Sequence, residues 1–209
     1  MLDVRIYYSF FRFFRKHNSE ALKEYWLKEV TRKEKFSWAD IPKRIQSRRR
    51  YFLFWWRLAN EMFMTGDKSI RKSAKRINSR LKDRFGVEIM LGAQIGPGLH
   101  IPHLNGIVVT DTLIAGKNLT ILQNTTIGKR HKYQEGMIRI GDNVSIGAGA
   151  HILGNNLTIG DDVLIGATSV VLKNVPSGMV YFIKAEPCMR PKKSVEQREH
   201  LPGQVTELP

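Results

Sequence analysis

The strongest constraint on the fold is a six-residue period. Ile89, Ile95, Ile101, Ile107, Leu113 and Leu119 stand six apart. The register breaks after Gly128 and resumes at Ile140, Ile146 and Ile152. After one extra residue near Asn155 and Asn156 it continues at Ile159, Ile165 and Val171. A helix would place apolar residues at spacings of three and four, and a half-buried strand at two. A sustained period of six is instead a repeat architecture. It describes a chain that turns a corner every six residues and sends one aliphatic side chain inward each time.

The spacing predicts a parallel β-helix of triangular section, with three hexads to a coil of about eighteen residues. One coil cannot bury its own inward residues, so several must stack, with backbone bonds running from coil to coil. Gly96, Gly141, Gly147, Gly160 and Gly166 follow inward aliphatics and suit corners where a Cβ would obstruct the backbone. Asn118, Asp142, Asn143, Asp161 and Asp162 hold other corner positions, where left-handed backbone is tolerated by these residue types. A sandwich of short strands could use the same turn residues, but has no reason to keep a hexad register.

Charge divides the chain at the start of the repeats. Residues 1–86 hold 23 Lys and Arg against 9 Asp and Glu, so they carry +14 of the net +15. The expected organisation is a basic helical segment over 1–86, a repeat domain over 87–183 and a C-terminal extension over 184–209. A basic segment suits nucleic acid, an acidic membrane surface or an anionic ligand. No nucleic-acid motif is present, so no nucleic-acid partner is expected. Cys188 is the only cysteine, which excludes a disulfide framework and favours a cytoplasmic chain. The N-terminus lacks the apolar core of a signal peptide. The apolar run 51–56 is far short of the roughly 20 residues that span a bilayer.

The basic segment reads as helices. Residues 4–17 mix aromatics with Arg and Lys as a short amphipathic helix. Asn18 or Ser19 can cap a second, with Glu20 and Glu24 early and Lys28, Arg32 and Lys33 late, matching the helix dipole. Pro42 permits a third start. From Arg48 the apolar residues surround the helix, which predicts burial or a packed partner, and Gly66 ends it. Asp67 can cap a last helix with one apolar stripe, Ile70, Ala74, Ile77, Leu81 and Phe85, closed by Gly86. These helices are expected to cover the open end of the β-helix and to make oligomer contacts. Their basic, aromatic face also suits peripheral contact with the inner face of a membrane.

The stretch GVEIMLGAQIGPGLHIPHLNGIVVTDTLIAGKNLTILQNTTIG, then IRIGDNVSIGAGAHILGN and IGDDVLIGATSVVLKNVPSG, resembles the hexapeptide-repeat acyltransferases, on their serine acetyltransferase-like branch. FWWRLANEMF and the helix ending RFGVEI are similar to the entry into the repeat domain in that family. The resemblance covers about residues 52–190. It implies an α+β chain, a helical segment followed by a left-handed parallel β-helix, assembled as a homotrimer. It also implies acetyl-CoA as co-substrate in a groove between neighbouring β-helices, direct acetyl transfer to a hydroxyl, and no metal. The six histidines form no close group at ligand spacing except His100 and His103, which flank a corner.

Residue by residue, the resemblance makes His103 the general base. A free imidazole titrates near pH 6.5, which suits the role at neutral pH. Glu88 matches the carboxylate that steadies that histidine in the family, an aspartate in serine acetyltransferases. Fifteen residues separate the two, close to one coil, so they are expected on adjacent coils of one face. Ala148, Gly166 and Ala167 are expected to leave backbone groups open to the pantetheine arm. Thr126 and Gly128 are placed near the thiol end. Lys173, with Lys184 and Arg190, is a candidate for the phosphates. Each glycine also serves as a corner residue, and lysines on an exposed face are commonly just solvated.

Two departures bear on the acceptor. Serine acetyltransferases carry Asp immediately before the catalytic histidine, where this chain has Pro102. They carry an Arg-His pair before the second repeat block, where this chain has Gly136 and Met137. Arg130 and His131, six residues earlier, are the only Arg-His pair nearby and could fold back. Loss of both partners removes charged hydrogen bonds of roughly 1.5–3 kcal/mol each. The expected acceptor is therefore a sugar hydroxyl in capsule, exopolysaccharide or lipopolysaccharide synthesis. The alternatives are serine, as in cysteine synthesis, and a non-catalytic trimeric scaffold. The end of the sequence, Glu207-Leu208-Pro209, lacks the Ile by which cysteine-synthesis members often dock a partner synthase.

Overall fold

Every inward aliphatic of the hexad series is buried; Ile89, Ile101, Ile107, Leu113, Leu119, Ile152, Ile165 and Val171 expose nothing. They line a three-sided prism. The computed structural model describes residues 4–16, 20–130, 135–184 and 189, the side chains of 4–7 and 16 excepted. Face A stacks β1 (Val87–Ile89), β3 (Ile107–Val109), β6 (Thr126–Gly128), β9 (His151–Leu153) and β12 (Val170–Val171). Face B stacks β2 (Gln94–Ile95), β4 (Leu113–Ala115), β7 (Ile138–Ile140) and β10 (Leu157–Ile159). Face C stacks β5 (Thr120–Ile121), β8 (Ser145–Ile146), β11 (Leu164–Ile165) and β13 (Val180–Tyr181). All pairings are parallel, each inner strand of a face bonding to the coils before and after it. The fold is the left-handed β-helix expected from the sequence.

The coils are not equal. Along face A the pairing steps 20 residues from Glu88 to Val108, 18 to Thr126, 25 to His151 and 19 to Val170. The surplus falls at 101–106 between faces C and A, in the chain between β6 and β7, and at 154–156 between β9 and β10. Where no surplus exists, backbone stacks on backbone. A Cβ on Gly96 would overlap the Gly116 carbonyl, so that corner column accepts only glycine.

The Asn and Asp corners separate into two roles. Asn118, Asn143 and Asp162 adopt left-handed φ of 58°, 57° and 55°. They form a ladder: Asn118 Nδ2 donates to Asn143 Oδ1 at 2.8 Å, and Asn143 Nδ2 to Asp162 Oδ1 at 3.0 Å. Asp142 and Asp161 do not turn left-handed as expected. Their carboxylates instead accept backbone N–H groups of the preceding coil, Lys117 N at 2.6 Å and Asp142 N at 2.7 Å.

The basic segment comprises α1 (Val4–Lys16), α2 (Glu20–Trp26) with a π-helical turn Leu27–Thr31, α3 (Ile41–Arg44), α4 (Arg48–Thr65) and α5 (Lys68–Phe85). Asn18 and Ser19, the expected caps of α2, lie outside the described residues. That helix stops at Thr31, short of Lys33, because Arg32 turns left-handed at φ 53°. Asp67 does cap α5, accepting Ser69 N and Ile70 N at 3.0 Å. The apolar stripe of α5 is buried against α4. The apolar girdle of α4 is explained by its neighbours: α5 packs on one side, and the π-helical turn and first coil on another.

These helices cover the leading edge of the first coil. Trp56 Nε1 donates to Ile89 O at 3.1 Å, Asn78 Nδ2 to the same oxygen at 3.2 Å, and Asn60 Nδ2 to Ala93 O at 2.9 Å. Asn60 Oδ1 accepts Gly92 N at 2.8 Å. Groups left without a preceding strand thus find partners, as buried backbone must. Among the described residues no helix is long and apolar enough to cross a membrane.

Candidate active site

His103 stands at the corner between faces C and A, in the lengthened 101–106 segment, with its side chain exposed. The corners of later coils stack on it through backbone bonds. Asn124 N donates to Asn105 O at 3.0 Å, Gly149 N to Gln123 O at 2.9 Å, and Thr168 N to Ala148 O at 2.8 Å. His103, Gln123, Ala148 and Ala167 therefore share one edge of the prism. At about 4.8 Å per coil, that edge runs roughly 14 Å from the His103 corner to the Ala167 corner. Its small residues are packing choices as well: a Cβ on Gly147 would overlap Ala167 N. Thr168 holds a left-handed φ of 56° there, a costly conformation for a β-branched residue, and sequence reasoning missed it.

The remaining expected residues distribute over other surfaces. Thr126 and Gly128 lie on β6 of face A, immediately after the Gln123 corner. Lys173 is exposed at the corner between faces A and B, and Arg130 lies on that same edge, its backbone N donating to Asn155 Oδ1 at 3.1 Å. Within one chain neither meets His103. His131 and Arg190 lie outside the described residues.

Glu88 and His103 lie on adjacent coils, but no hydrogen bond joins them. Glu88 projects from face A, not from the histidine's corner, and its Oε2 pairs with Lys82 Nζ at 2.7 Å. Lys82 sits in the last turn of α5, which lies over β1, and so captures the carboxylate. Glu88 lines a separate cleft with Lys82, Met90 and Asn78. In this arrangement of side chains the Glu88 carboxylate is held by Lys82 rather than by the histidine.

His103 opens onto a cleft of about 660 Å³. One wall is Pro102, His103, Leu104 and Asn105, with Gln123 from the next coil; the other is Ser47, Arg48 and Arg49 at the start of α4. The two arginines were not singled out from sequence, although the run Arg48-Arg49-Arg50 was the available signal. Burial lowers the Arg49 pKa from its ordinary value, and nearby Arg32 and Arg50 lower it further. His100, half-buried behind the corner, is also lowered, first by burial and then by Arg49 and Arg32. No group of His, Cys, Asp and Glu among the described residues could hold a metal ion.

No protein-family model matches the chain. The mitochondrial serine acetyltransferase 3 of Arabidopsis thaliana is 43% identical over 121 residues, 57% of this chain and 30% of that protein. The serine acetyltransferase of Staphylococcus aureus is 42% identical over 147 residues, 64% of this chain and 65% of that protein. The chain thus spans less than two thirds of these curated relatives. Among solved structures, Neisseria gonorrhoeae serine acetyltransferase in complex with serine superposes with a TM-score of 0.67 at 28% identity, covering 87% of this chain and 74% of that one.

Proposed function

We propose that this chain, similar to serine acetyltransferases of the hexapeptide-repeat superfamily, is an acetyl-CoA-dependent O-acetyltransferase. The observation that carries the reading is the shared edge of His103, Gln123, Ala148 and Ala167. The arm of acetyl-CoA lies along the small residues, with its thioester toward the histidine. His103 takes the proton of an acceptor hydroxyl as its oxygen attacks the thioester carbonyl. The C–S bond breaks, the acetyl ester forms, and the CoA sulfur leaves as thiolate and is protonated.

The similarity to serine acetyltransferases supports L-serine as the acceptor, over the sugar expected from sequence. The sugar keeps a place as second reading because Pro102, Gly136 and Met137 stand where serine would need charged partners. Arg130 and Lys173, on a different edge from His103, join the site only if two edges meet between copies, as in a homotrimer.

The test is CoA release from acetyl-CoA with L-serine, or with a panel of sugars and nucleotide sugars, for the native chain and His103→Ala. The reading expects release with serine and a loss of about 10²- to 10⁴-fold in the variant. Release only with a sugar transfers the proposal to the second reading. Undiminished release by His103→Ala would remove the histidine from the chemistry.

A further inference from the structure

The cleft at His103 is one-sided in charge. Arg48 and Arg49 line it, and no carboxylate does. Behind them lie Arg32, Arg44 and Arg50: burial, Arg44 and Arg32 lower the Arg50 pKa, and Arg50 Nε is buried without a hydrogen-bond partner. Among the described residues these five arginines enter no ion pair, whereas nearby Glu29 is taken by Arg57 and Asp40 by Lys33. Like charges gathered at a half-buried surface repel, and a bound anion would offset that repulsion.

We propose that Arg48 and Arg49 form an oxyanion subsite that holds the acidic end of the acceptor, carboxylate or phosphate, while its hydroxyl faces His103. The guanidinium fork matches both anions. The subsite replaces, from the helical segment, the Arg-His pair that the sequence lacks at Gly136 and Met137. The carboxylate of serine and the phosphate of a phosphorylated hydroxy compound both meet that fork.

This inference rests on the acetyltransferase reading, and its test separates the two. KM is measured for paired acceptors: L-serine against serinamide, and a hexose 1-phosphate against the free hexose. The proteins are the native chain, R48Q/R49Q, and a charge-matched control on α5, K72Q/R80Q. The subsite expects R48Q/R49Q to raise KM for the anionic member of a pair by about ten- to a hundredfold relative to its neutral partner. The control leaves that ratio unchanged. Which pair shows the effect identifies carboxylate or phosphate. An equal change for both members, or none, overturns the subsite. If no acceptor turns over, inorganic phosphate is titrated against the imidazole NMR signals of His100 and His103. Perturbation lost in R48Q/R49Q supports the subsite while the reaction assignment fails; an unperturbed native chain overturns it.

Discussion

Arg57 and Glu29, 28 residues apart, form a buried two-point ion pair: Nε to Oε2 at 3.0 Å and Nη2 to Oε1 at 2.6 Å. Neither ion ends there. Arg57 also donates to Ile95 O at 2.6 Å and Gly96 O at 2.8 Å, while Glu29 Oε1 accepts Gly98 N and Leu99 N at 3.0 Å. The ring of Tyr25 lies 4.0 Å from the guanidinium carbon. The pair therefore ties the π-helical turn, α4 and the first coil together.

Removing one partner leaves the other charge buried alone. Glu29→Gln or Arg57→Met is expected to cost about 3–5 kcal/mol, measured by urea unfolding. A loss below about 1 kcal/mol would mean that the helical segment docks without the pair.

The Asn ladder is a smaller contribution. Asn143→Ala removes two side-chain bonds and forces alanine into the left-handed region, at about 1–3 kcal/mol in total. Asn143→Gly recovers the backbone part alone, so its melting temperature should fall between native and Asn143→Ala.

Thr168 is the exception among left-handed corner residues, since Asn118, Asn124, Asn143 and Asp162 are all Asn or Asp. Thr168→Asn is expected to raise stability by about 0.5–1 kcal/mol. A rise in KM for acetyl-CoA in the same variant would tie the retained strain to the edge beside Ala167.

His100 gives a pH dependence of definite sign. Its folded pKa lies below the ordinary value, through burial first and then Arg49 and Arg32. The unfolded chain thus binds its proton first as pH falls. Stability is unaffected above about pH 6.5, declines below it, and levels once the folded form also protonates. The urea midpoint followed downward from neutrality should show this decline, and His100→Gln should flatten it. Phosphate at the arginines should lessen it.

Much of this was readable from local pattern. Ile89 to Val171 announce the prism because every coil repeats the same inward step. Ile70 to Phe85 announce α5, and Asp67 its start. Side-chain pairings across long separations were not readable. Glu29 looks like a solvated acid among the late basic residues of its helix until Arg57 arrives from 28 residues away. Glu88 matches a family position, yet Lys82, six residues before it, holds it through the junction of α5 and β1. Arg48 and Arg49 gain meaning only when the start of α4 lands beside His103.

The bonds from Trp56, Arg57, Asn60 and Asn78 to the first coil also bear on self-assembly. A stack of parallel coils has no intrinsic length, and its bare end would template another copy end to end. With its carbonyls already engaged by side chains of α4 and α5, the first coil offers an incoming strand little to join. The helical segment makes that end of an extendable stack a terminus, and guards it against fibre growth.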